Sequence, residues 1–263
     1  MIGAIIGDVV GSRFEFNNIR TKKFKLITNE STFTDDTVLT IAVMDWLCHA
    51  ENPYDKKEAS SYLQKWAKKY PYSGFGGMFY RWMNLENPEP YNSCGNGSAM
   101  RISAVGWMLD FEEDMLDACK IITSVTHNHP EGMKGAEVVA QMIFKARNGA
   151  SKDELKEYAI SMYPEIAKMD YEDLRKNFKF DETCQKTVPQ AIYCFLISED
   201  FEDCLRTTIS IGGDCDTTAA ISCAIAEAYY NEISVELIEE VKSKLPKEMI
   251  EILHDANWIY MMK

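Results

Sequence analysis

Phe33-Thr34-Asp35-Asp36-Thr37 and Gly212-Gly213-Asp214-Cys215-Asp216-Thr217 lie far apart in the chain, yet they share one chemistry. Each sets two carboxylates and threonine hydroxyls just ahead of a strongly apolar, helix-like run, Val38 to Leu47 in the first case and Ala219 to Tyr229 in the second. This pairing constrains the fold. If the two helix starts meet, four carboxylates and several hydroxyls share one spot, and such a cluster repels itself unless cations sit in it. Hard oxygen donors without thiolates suit Mg²⁺, Mn²⁺ or Ca²⁺. One such segment alone reads as a helix cap, because Ser, Thr and Asp satisfy free N–H groups and acids favour the positive end of the helix dipole. A cap needs one side-chain oxygen, however, and these segments offer three or four each.

A chain of 263 residues that is 46% apolar can bury a large core. Its net charge of −13 makes a nucleic-acid backbone a poor partner. The eight cysteines form no Cys-x-x-Cys pair, and most fall inside apolar helical runs. Neither a structural zinc site nor a disulfide framework is expected; buried thiols in a reducing cytosol fit. Met1 to Gly11 is apolar, but Asp8 interrupts it and no basic region precedes it, so it does not read as a secretory signal. No apolar stretch reaches membrane-span length. The expectation is a cytoplasmic protein, and a monomer, since no exposed apolar stripe asks for a partner.

Helical periodicity runs through nearly the whole chain. It predicts helices over 37–50, 57–69, 97–109, 113–125, 131–148, 152–162, 187–198, 201–210, 216–230, 234–244 and 246–260, besides the N-terminal one. Met133, Ala136, Val139, Ala140, Ile143 and Phe144 make a clear stripe. Lys23 to Ile27 is the best strand candidate, and it is short. No linker or repeat of fixed period interrupts the chain. A single all-α domain over 1–263 follows, with loops at helix starts as the site.

Other motifs carry weaker signals. Gly3, Gly7 and Gly11 recur every four residues, which puts them on one helix face where another backbone can pack closely. Glu15, flanked by Phe14 and Phe16, is a candidate general base whose pKa desolvation would raise. Cys94 to Arg101 is a glycine-rich turn opening into a helix, where backbone N–H groups can approach a diphosphate. It lacks a P-loop lysine and follows no predicted strand. Arg101 can pair with phosphate or form an internal salt bridge. Thr126-His127-Asn128-His129-Pro130 joins two helical runs and offers a histidine to hydrogen-bond the site or cap the next helix. No Gly-x-Ser-x-Gly nucleophile signature is present.

Taken in order, these segments resemble the ADP-ribosylglycohydrolase family. The resemblance rests on Gly3-Ala4-Ile5-Ile6-Gly7-Asp8 with Gly11 and Glu15, and on Phe33 to Thr37. It continues with Gly95-Asn96-Gly97-Ser98-Ala99-Met100-Arg101 with Thr126-His127 and His129-Pro130, and ends with Gly212 to Thr217 running into Ala219-Ala220-Ile221. It implies a compact, orthogonal all-α multi-helix bundle with a binuclear Mg²⁺ or Mn²⁺ centre. The positions matching the family's metal ligands are Thr34, Asp35, Asp36, Asp214, Asp216 and Thr217. Gly95, Asn96, Gly97 and Ser98 match the segment lining the diphosphate and distal ribose, and His127 matches a site-lining histidine, with His129 a rival. Glu15 falls where some members place an acid near the metals. Cys215 and Thr218 depart from the family's usual Thr/Ser and Ile/Val, both read as packing positions.

The expected activity is Mg²⁺-dependent hydrolysis of the C1 bond between ADP-ribose and a modified acceptor, with Glu15, Asp35 and Asp36 catalytic and an aromatic residue (Phe75, Phe79 or Tyr91) stacking on adenine. The alternatives are a catalytically inactive ADP-ribose-binding or structural member of the family and another binuclear metallohydrolase acting on a nucleotide.

Overall fold

The computed structural model describes residues 1–262. Its helices are α1 (Gly3–Gly11), α2 (Asp35–His49), α3 (Lys56–Lys69), α4 (Gly77–Trp82), α5 (Gly97–Met100), α6 (Ser103–Met108), α7 (Glu112–Ser124), α8 (Pro130–Arg147), α9 (Lys152–Met162), α10 (Tyr171–Asn177), α11 (Cys184–Ile197), α12 (Phe201–Ile211), α13 (Cys215–Tyr230), α14 (Val235–Lys242) and α15 (Lys247–Met261). Single 3₁₀ turns occupy Ser12–Phe14 and Pro164–Lys168. The fold is all-α, and among the described residues the sole β-type pairing is an isolated bridge between Gly95 and Thr183.

Helix α13 is the axis of the molecule. Every residue from Cys215 to Ala228 is buried, as expected for a helix that is apolar or small-sided all round. It packs against α1, α8, α11 and α12. The closest approach is to α1, and the four-residue glycine spacing is the reason. A Cβ on Gly3 would stand 2.4 Å from the Cys223 carbonyl oxygen, one on Gly7 2.3 Å from the Ala219 carbonyl, and one on Gly11 2.5 Å from the Asp216 Cα. The two backbones therefore touch along three turns. The start of α1 has no local side-chain cap. Glu227, from the far end of α13, takes the Ile2 and Gly3 N–H groups instead, at 2.9 and 2.8 Å.

The turn from α12 into α13 needs both of its glycines. Gly212 and Gly213 have φ of 73° and 78°, a region that side-chain-bearing residues rarely adopt. Asn18 holds the turn from outside, accepting the Gly213 N–H at 2.7 Å and donating to its carbonyl at 2.9 Å.

Several local expectations are corrected. Lys23 to Ile27 forms no strand; the Phe24 and Lys25 carbonyls that a ladder would use accept from the Arg206 and Arg13 side chains instead. The span 97–109 is two short helices rather than one; the backbone flattens at Arg101 (φ −91°, ψ −6°), where the side chain is drawn inward to the Ile122 carbonyl and the Thr126 hydroxyl. Helix α11 begins at Cys184, so Pro189 lies inside it. Helices α4 and α10 were absent from the expected set; both are single short pieces between loop residues.

Candidate metal and substrate site

The two acidic segments do meet. Asp35, Asp36, Asp214, Asp216, Thr217 and Glu15 all line one cavity of about 430 Å³. Helix α2 supplies the first pair, and the start of α13 with its N-cap residue Asp214 supplies the second; α1 packs against both helices. Oxygens of Asp8, Asp36 and Asp216 lie within 4.8 Å of one another, and so do oxygens of Glu15, Asp214 and Asp216. Asp216 belongs to both groups.

Asp8 appears in the sequence as an interruption of an apolar run and as part of the first family motif, but with no role assigned to it. It accepts hydrogen bonds from the Thr34 N–H (2.9 Å), the Thr34 hydroxyl (2.8 Å), the Thr37 N–H (3.0 Å) and the Thr37 hydroxyl. It thus caps α2 from another helix, alongside the local cap in which Thr34 Oγ1 accepts the Asp36 N–H. Three of these bonds fall on Oδ2, which leaves that oxygen little capacity for a cation. The effect is to fix the turn carrying Asp35 and Asp36.

The other predicted residues are placed as follows. Thr34 stands at the α2 start, with its hydroxyl on Asp8. Thr217 donates from its hydroxyl to Asp36 Oδ2 at 3.1 Å, tying the two acidic segments together. Asp35 reaches the wall beside Gly74 but falls outside both close oxygen groups. Asn96 donates from Nδ2 to Asp214 Oδ2 at 2.7 Å and to Thr187 Oγ1 at 3.0 Å, so its amide orients Asp214. Gly95, Asn96 and Gly97 line the cavity. The Ser98 hydroxyl turns inward to the Gly132 carbonyl at 2.8 Å. His127 lines the cavity, whereas His129 caps α8 by accepting the Glu131 N–H at 3.1 Å. Phe79 and Tyr91 reach the cavity and Phe75 does not; Phe180 does, and sequence reasoning missed it. Thr218 proves to do more than pack: its hydroxyl donates to the Asp214 carbonyl.

The electrostatics ask for counter-charge. None of the ion pairs among the described residues reaches Asp8, Glu15, Asp35, Asp36, Asp214 or Asp216. Burial pushes Asp36 and Asp216 well above the ordinary carboxylate range, and neighbouring carboxylates push further, Asp8 foremost on Asp36 and Asp36 foremost on Asp216. Asp35 is raised the same way, by burial and then by Asp8. Burial also raises Asp214 and Asp8, against the hydrogen bonds each accepts. Glu15 is raised to about 7, by desolvation first and the Asp214 charge second. Meanwhile Asp36 Oδ1 is buried with no hydrogen-bond partner. A buried, unpartnered carboxylate oxygen beside other carboxylates is costly without a cation. The all-oxygen donor set suits a hard divalent ion.

The ADP-ribosylglycohydrolase family profile matches residues 1–262. The chain belongs to the ADP-ribosylglycohydrolase family. Among its relatives is mouse ADP-ribosylhydrolase ARH3, 26% identical over an alignment covering 88% of this chain and 82% of that one. The ADP-ribosyl-[dinitrogen reductase] glycohydrolase of Rhodospirillum rubrum is 23% identical over 94% of this chain and 90% of its own length. A solved structure described as an ADP-ribosylglycohydrolase-related protein complex superposes with a TM-score of 0.74 at 21% identity, covering 99% of this chain and 95% of that one. The fold is therefore that of the family, as the motif order implied. Membership makes the chain a hydrolase acting on ADP-ribosyl linkages.

Proposed function

We propose that the protein uses two Mg²⁺ ions, with Mn²⁺ able to replace them, to hydrolyse the bond at C1 of the distal ribose of an ADP-ribosylated acceptor. The observation that carries this reading is Asp216, whose carboxylate belongs to both close oxygen groups at the cavity wall. Asp36, Asp214 and Asp216 would hold the ions, with Asp35 and the hydroxyls of Thr34 and Thr217 completing the set, and Asp8 holding the α2 turn in place. Divalent cations in such a site supply Lewis acidity and charge neutralisation.

The protein's own groups do the rest. The Gly95–Gly97 turn leaves room for the diphosphate to lie against backbone. Phe79, Tyr91 and Phe180 offer apolar faces for the adenine. Glu15, at the cavity wall and close to Asp214 and Asp216, is placed to take a proton from water and return one to the leaving acceptor. Water's oxygen bonds to C1, the C1–acceptor bond breaks, and the acceptor departs with a proton. Holding ribose and water in one cavity supplies orientation.

The test is release of free ADP-ribose from arginine-linked and serine-linked substrates, with Mg²⁺ or EDTA, and with Asp216→Ala as control. Mg²⁺-dependent release absent in the variant supports the reading and names the acceptor class. Liberation of phosphate in place of intact ADP-ribose sinks it in favour of another metallohydrolase.

A further inference from the structure

The cavity lined by the carboxylates is also lined by a buried cation. Arg101 lines it, is wholly buried, and forms no ion pair among the described residues. One guanidinium nitrogen donates to the Ile122 carbonyl at 3.0 Å and to Thr126 Oγ1 at 2.8 Å. Thr126 Oγ1 in turn lies 2.7 Å from His127 Nδ1. Thr126 is fully buried and His127 is 4% exposed.

Hydrogen accounting fixes the direction of this chain. Arginine only donates, so Thr126 Oγ1 accepts from Arg101. The threonine proton then needs an acceptor, and His127 Nδ1 is the one within reach. A proton on Nδ1 would face the hydroxyl oxygen instead and strand the threonine proton in a dry interior. His127 Nδ1 is therefore the acceptor, and the hydrogen is on Nε2. That nitrogen has no partner among the described residues and lies at the glycine turn: a Cβ on Gly97 would be 3.3 Å from it, and one on Gly95 3.6 Å.

We infer that Arg101 and Thr126 are positioning residues that lock His127 in its neutral Nε2–H form, presenting a fixed donor into the cavity for an anionic oxygen of the substrate's diphosphate. The diphosphate assignment rests on the proposed function; the relay does not. Arg101 supports it as a buried cation of the same cavity, whose Nε and Nη1 have no hydrogen-bond partner among the described residues. Burial and the Arg101 charge also hold the His127 pKa well below its ordinary value, which keeps the ring neutral. Glycine at 95 and 97 fits too, because a side chain at either position would crowd Nε2.

The test is a long-range proton–nitrogen NMR spectrum of the ¹⁵N-histidine protein at about pH 7, which separates the two neutral tautomers and the imidazolium. His127→Gln identifies the resonance. The wild type should show neutral Nε2–H, and Thr126→Ser should preserve it. Thr126→Val, which keeps shape and removes the hydroxyl, should shift the ring towards a tautomer mixture. It should also weaken ADP-ribose affinity about tenfold, where Thr126→Ser does not. Adding ADP-ribose or inorganic pyrophosphate should move the Nε2–H resonance. A wild-type Nδ1–H form, an imidazolium, or an unchanged spectrum in Thr126→Val overturns the relay. A response to pyrophosphate with none to ADP-ribose upholds the donor and removes the hydrolase reading instead.

Discussion

Gly7→Ala tests whether backbone contact between α1 and α13 builds the site. The added methyl would sit 2.3 Å from the Ala219 carbonyl, about 1 Å short of ordinary van der Waals contact. The obstacle is main chain inside a buried helix, so no side-chain rotation relieves it. Ala in a helix interior gains about 1 kcal/mol over Gly, whereas overpacking costs typically about 1–3 kcal/mol and occasionally more. Backbone against backbone belongs at the upper end, for a net loss of about 1–2 kcal/mol. At about 2–4 °C per kcal/mol for a domain approaching this size, the melting temperature should fall by about 2–8 °C. The same displacement moves Asp8 and Glu15 away from Asp216, so the variant should also gain less stability from Mg²⁺ than the wild type. Gly77→Ala is the control: nothing lies within 4 Å of its added Cβ, and the substitution should be neutral or stabilising by up to about 1 kcal/mol. Thermal melts of the three proteins, with and without Mg²⁺, read both effects. A Gly7→Ala protein that melts at or above the wild-type temperature with a full Mg²⁺ response would refute the reasoning.

Three further outcomes are expected. Asp216→Asn should abolish the Mg²⁺-induced rise in melting temperature and lower ADP-ribose release by at least about a hundredfold, because both oxygen groups lose a member; a retained Mg²⁺ shift in calorimetry counts against the shared ligand. Asp8→Asn should stay within about 1 kcal/mol of wild type, since its amide oxygen can replace the crowded Oδ2 and the Thr34 hydroxyl can turn to Asp36 Oδ2, 3.3 Å away. Asp8→Ala instead strands the Thr34 and Thr37 N–H groups at about 1–3 kcal/mol each, and equal urea midpoints for the two variants would contradict this account. In EDTA, the raised carboxylates favour the protonated native state; for Glu15 that stability is present below about 4.5 and lost as pH rises through about 7. Melting temperature without metal should therefore fall across that window, and excess Mg²⁺ should flatten or reverse the slope. A rising slope in EDTA would show that the cluster is not self-repelling.

Asp35, Asp36, Asp214 and Asp216 were legible because each pair sits at a helix start in excess of what a cap requires. Glycine spacing foretold a close backbone contact on α1, though not that α13 would make it, for the same reason: period and residue size are local properties, and the identity of a partner is not. Asp8 was not legible as a cap, since its partners Thr34 and Thr37 lie on another helix and nothing beside it in sequence resembles a cap. The break at Arg101 has no Gly or Pro to announce it; burial of one side chain overrides the local helical pattern. Phe180 sits in a loop whose approach to the cavity depends on how α10 and α11 are placed, and no periodicity encodes that.

The α1–α13 contact has a consequence for synthesis. Asp8 leaves the ribosome early and Asp216 late, so the closest pairing in the molecule is also among its most distant in sequence, and closing so long a loop is entropically costly and slow. Until α13 has emerged, Asp36 has Asp8 but not Asp216 beside it, Glu15 has neither Asp214 nor Asp216, and no nascent fragment can present the double oxygen cluster. On the proposed function, competence to bind metal would therefore arise only once α13 has joined α1 and α2, and shorter chains would lack it.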